Sequence, residues 1–131
     1  MAELRLEPYA VVRRWHLPGP QDRWEAILAE YLQTLAGRCV ESGQAVIGHI
    51  KTLACFPGGK YLRLSVVAAD QPATVDGAAP CGCTSMDLTL NVLVYGLEWG
   101  MIEKIVQETS RQLTEKMGGE IACFLPGSGS D

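Results

Sequence analysis

Two alternating apolar runs, residues 45–55 and 60–68, flank Pro57-Gly58-Gly59, and no other stretch constrains the fold as tightly. Proline presets one turn dihedral and glycine permits positive φ, so the tripeptide reads as a hairpin turn. Pairing Phe56 with Lys60 sets Ile50 opposite Val66, Thr52 opposite Leu64 and Ala54 opposite Leu62. The same register sets Lys51 opposite Ser65 and Leu53 opposite Arg63. Apolar side chains then collect on one face, and a slip of one residue would mix the faces. The far face carries Ile47, His49, Lys51 and Leu53 on one strand and Arg63, Ser65 and Val67 on the other. That mixture is too apolar for a bare solvent face and too polar for a core.

Helical periodicity brackets this hairpin. Trp24, Ile27, Leu28, Tyr31, Leu32, Leu35, Cys39 and Val40 recur at three- and four-residue steps and predict an amphipathic helix over 22–42. Asp22 and Glu25 have capping-box spacing, and Gly43 supplies the stop. Ile102, Ile105, Val106, Thr109, Leu113 and Met117 predict a second helix over 98–117, ended by Gly118-Gly119. Between them, residues 70–86 form a long connection with a short extended piece at Thr74–Val75, and 86–96 alternates as a third strand. Residues 120–125 read as a last short strand.

These elements predict an α+β fold: a two-layer sandwich in which a mainly antiparallel sheet of three to five strands carries two helices on one face. Residues 1–20 are expected to form an N-terminal arm, in which Leu4 and Leu6 start a short strand and Val12 and Trp15 anchor the segment. Residues 21–125 are expected to be a single domain, and 126–131 a flexible polar tail. At 131 residues the chain suits one core without disulfides or metal.

A net charge of −4 argues against nucleic acid as the main partner, since phosphate binding needs a positive excess. Arg13 and Arg14 lie together, but two charges make a weak basic patch. No apolar run approaches the roughly 20 residues that span a bilayer, so membrane insertion is not expected. The five cysteines are an odd number, and Cys39, Cys55 and Cys123 sit in apolar patterns, which points to a reducing cytoplasm.

The run Asp87-Leu88-Thr89-Leu90-Asn91-Val92-Leu93-Val94-Tyr95-Gly96 is followed by a helix with Ile105, Val106 and Gln107, by Met117-Gly118 and by a closing strand. In this order of elements the stretch 86–122 resembles the alkaline shock protein family of bacterial cell envelopes. The resemblance implies a small, non-catalytic, self-associating protein and transfers no catalytic residue.

Three functional expectations follow from the residues. The mixed sheet face is expected to pack against a second copy of the chain, giving a homo-oligomer without enzyme activity. Alternatively, His49, Lys51, Arg63, Ser65 and Asn91 hold a small anionic ligand or substrate: His49 switches charge near neutral pH, two cations attract and two side chains hydrogen-bond. A third reading gives Cys81 and Cys83 a metal or redox role, because a thiolate is both ligand and nucleophile. A closed zinc site needs four ligands, and His16 and Cys123 are the residues that would have to complete it. No cofactor is otherwise predicted. Lys60 after Pro57-Gly58-Gly59 lacks the remainder of a phosphate loop, and no nucleophile elbow surrounds Ser65.

Overall fold

The computed structural model describes residues 8–123. Strands β1 (Tyr9–Gln21), β2 (Val46–Cys55), β3 (Tyr61–Val66), β4 (Thr74–Gly77), β5 (Cys83–Tyr95) and β6 (Glu120–Cys123) form one sheet in the order β4-β3-β2-β5-β1-β6. Every neighbouring pair is antiparallel. Helices α1 (Trp24–Glu41) and α2 (Trp99–Lys116) pack side by side, α1 over β2 and β3, α2 over β1 and β6. The fold is α+β, with six strands where three to five were expected. Without β3 and β4 the chain order is βαββαβ and the strand order β2-β5-β1-β6, the split βαβ arrangement.

The hairpin register is the one that the alternation predicts. Ile50 pairs with Val66, Lys51 with Ser65, Thr52 with Leu64, Leu53 with Arg63 and Ala54 with Leu62. Phe56 donates its backbone N–H to the Lys60 carbonyl at 2.9 Å, and Gly58 and Gly59 take φ of 93° and 95°. Thr52 is buried within this ladder, and its hydroxyl donates to the Thr89 carbonyl at 2.8 Å. The extended piece expected near Thr74–Val75 is β4, which lengthens the sheet beyond β3.

The largest departure lies at the N-terminal end. β1 takes up residues 9–20 of the expected arm together with Gln21 and lies between β5 and β6. Tyr9, Trp15 and Leu17 alternate into the core, whereas Val12, expected as an anchor, lies on the open face. Pro18 and Pro20 obscured this strand in the sequence. They fall where the β1–β5 register shifts between His16 and Gln21, a break that tolerates proline. Leu4, Leu6 and the expected tail 126–131 lie outside the described residues.

Trp24, Ile27, Leu28, Tyr31, Leu32, Leu35 and Cys39 of the predicted helical stripe are buried, while Val40 is exposed. Asp22 does not cap α1: Arg23 occupies the cap position, without a side-chain hydrogen bond. In α2, Ile102, Ile105, Val106 and Thr109 are buried, and Leu113 and Met117 pack partly against the core. Arg38 of α1 donates to the Thr109 hydroxyl at 2.9 Å, which joins the helices across their seam. Trp15 with Tyr31 and Trp24 with Phe56 meet edge-on between sheet and helices, at centroid distances of 5.0 and 5.7 Å.

Candidate functional site

The sheet face turned away from the helices holds all five residues proposed for a ligand. Lys51 of β2 lies between Asn91 of β5 and Ser65 of β3, so these three form one cross-strand row. His49 pairs with Leu93 in the row to one side. Leu53 joins Arg63 and Thr89 in the row to the other, which Val12 extends on β1. Ile47 departs from expectation. The register shifts at Gly48, so Ile47 pairs with Val94 and packs against the core instead of joining His49 on the open face. A β-bulge inserts one residue and so reverses the alternation, which a simple count along the strand cannot foresee.

Most of the positive charge on this face is already matched. Arg63 pairs with Asp76 of β4 at 3.4 Å and lies over the Tyr61 ring, 5.4 Å from its centroid. Arg14 binds Asp87 through two hydrogen bonds, Nε to Oδ1 at 2.6 Å and Nη2 to Oδ2 at 3.1 Å. Among the described residues Lys51 has no carboxylate within 4 Å. The pKa of His49 is lowered from its ordinary value, first by partial burial and then by the Lys51 charge. Around these groups stand Leu53 and Leu93, both half-buried, and the exposed Val46, Tyr61 and Tyr95.

Cys81 is exposed in the turn before β5, and Cys83 opens that strand, half-buried. The intervening Gly82 donates its N–H to the Gln21 carbonyl at 3.1 Å, which moors the Cys-Gly-Cys turn to the end of β1. His16 pairs with Ser85, and Cys123 with Arg13. Among the described residues no three His, Cys, Asp or Glu side chains gather as metal ligands.

A second constellation was not anticipated. Arg13 pairs with Leu88 and occupies the inward alternation of Tyr9, Val11 and Trp15, so its guanidinium lies on the helix-covered side. It is half-buried, and one N–H donates to the Val12 carbonyl at 2.9 Å. No described carboxylate reaches it within 4 Å. Burial raises the pKa of Tyr9 and pushes that of Tyr31 well above its ordinary range, and the Arg13 charge opposes both shifts. The sequence held the signal: an arginine at an odd position among otherwise apolar odd positions from 9 to 17.

No protein-family model matches the chain, and no curated protein or solved structure matches it. No described helix is long and apolar enough to cross a membrane.

Proposed function

We propose that this chain is a non-catalytic homo-oligomeric domain whose open sheet face packs against the same face of a second copy. The observation that carries this reading is the pairing of its charges amid exposed apolar side chains. Arg14–Asp87 and Arg63–Asp76 neutralise each other within the face, leaving Lys51 as the cation without a described acidic partner. Two copies of such a face meet with little like-charge repulsion, and an isologous contact needs that self-compatibility. Val12, Leu53 and Leu93, with Val46 and Tyr95 at the end of the patch, supply the apolar area. The resemblance of residues 86–122 to the alkaline shock protein family points the same way. The free thiols of Cys39, Cys55, Cys81 and Cys83 suit a reducing cytoplasm.

Native mass spectrometry under reducing conditions is the test. A defined oligomer is expected, and Leu53→Glu, which sets a charge in the middle of the face, shifts it to monomer. A wild-type chain that stays monomeric at high concentration overturns the reading.

One observation favours a second reading at the same place. The row Asn91–Lys51–Ser65 joins an uncompensated cation to two hydrogen-bonding side chains, a composition suited to a small anion. Under this reading an added mass remains on the subunit in native spectra and is lost in Lys51→Ala.

A further inference from the structure

Between α2 and the strands β1 and β6 lies a cleft of about 460 Å³. Arg13, Gln107, Ser110 and Ile121 line it, and the same four residues bound a narrow cavity of about 30 Å³ that reaches Tyr9, Trp15 and Tyr31. We propose that this cleft binds a small monocarboxylate, its carboxylate held by Arg13 and its body against Ile121 at the wall.

The placement of Arg13 carries the argument. Desolvating a guanidinium is costly unless a counter-charge accompanies it, and here its one hydrogen bond among the described residues goes to the neighbouring carbonyl. A core-facing strand position ordinarily holds an apolar residue, and a departure from that pattern marks function more often than stability. The guanidinium fork matches a carboxylate in two parallel hydrogen bonds. Gln107 adds an amide at the wall. The hydroxyl of Ser110 is already engaged, donating to the Val106 carbonyl at 2.7 Å and hydrogen-bonded with the Tyr31 side chain, so it is not free for a ligand.

The rim sets the charge of the ligand. Glu115 and Glu120 border the outer part of the cleft, and Arg111 there is paired with Glu115 at 3.1 Å. With Arg111 and Glu115 matched to each other, Arg13 and Glu120 are the remaining charges, a balance that suits a single negative charge and disfavours a phosphate dianion. Tyr9, Trp15 and Tyr31 are buried beneath the cleft, and the cavity of about 30 Å³ that reaches them has room for little more than a water molecule, so the body of the ligand stays in the outer cleft against Ile121.

The test is an NMR titration of the full chain with benzoate, alongside benzamide and inorganic phosphate. Benzoate is expected to give saturable shifts at the amides of Arg13, Gln107 and Ile121, with both comparison probes at least about tenfold weaker. Arg13→Met keeps the stem without the charge and weakens benzoate by roughly tenfold to a hundredfold. Gln107→Trp fills the mouth from an exposed helix position, keeps the native spectrum and excludes benzoate. The assignment is overturned by an absence of shifts on β1 and β6, by benzamide or phosphate binding as well as benzoate, or by undiminished binding in Arg13→Met or folded Gln107→Trp.

Discussion

Trp24 of α1 donates its indole N–H to the carbonyl oxygen of Cys83 at 3.0 Å, tying the first turn of the helix to the start of β5. The ring is fully buried and meets Phe56 edge-on, so one side chain joins helix, hairpin and central strand. Trp24→Phe keeps most of the packing but strands the Cys83 carbonyl, and is expected to cost about 1–2 kcal/mol. Trp24→Ala removes both and is expected to cost about 3–5 kcal/mol. Urea denaturation of the two variants measures the difference.

The bulge at Gly48 leaves little room for a Cβ. A methyl there would stand 3.1 Å from both the Leu93 carbonyl oxygen and Cε2 of Tyr95. Gly48→Val is therefore expected to destabilise the chain by about 1–3 kcal/mol. Adding Tyr95→Ala recovers only part of that loss, because the backbone oxygen of Leu93 cannot withdraw. Chemical denaturation of the single and double variants checks both statements.

His49 makes stability depend on pH with a definite sign. Burial, then Lys51, lowers its pKa from the ordinary 6.5, so the unfolded chain binds this proton more tightly than the folded one. Its contribution is fully present above the unfolded value and is lost as pH falls through the lowered folded value. Unfolding free energies of wild type and His49→Gln are expected to diverge as pH drops below about 6.5, with the variant flatter. In Lys51→Met the imidazole titration followed by NMR moves back up.

The thiols should separate by burial. Cys39 is buried in α1 and its pKa is pushed up to about 11 by desolvation, whereas Cys55 and Cys81 are exposed. In the native protein at neutral pH, a maleimide followed by peptide mass spectrometry is expected to label Cys55 and Cys81 first. Cys39 should remain unmodified until denaturant is added. Rapid native labelling of Cys39 would place it at the surface and contradict the packing of α1.

Much of the fold was legible because its signals are local. The turn at Pro57-Gly58-Gly59 ties the hairpin register to residues a few positions apart, and the two helical stripes declare their buried sides through spacing alone. The open-face residues His49, Lys51, Arg63, Ser65 and Asn91 could be grouped for the same reason, since alternation assigns each to a face. Ile47 escaped the grouping because one inserted residue reverses alternation, and a bulge depends on what Tyr95 and Leu93 place beside it. The strand β1 escaped because its partners on β5 lie about sixty to eighty residues away in sequence.

Arg13 and Arg14 show where the boundary falls. The chain itself determined that neighbouring strand residues point to opposite sides, so the two guanidiniums had to part. Only the tertiary structure decided which side each would meet. The helices cover one face, leaving Arg13 half-buried beside aromatic rings, while β5 brings Asp87 to Arg14 on the other. Periodicity is a property of covalent geometry and acts over a few residues. Strand order and helix placement are settled by the burial of distant apolar surfaces against one another, which no local pattern records.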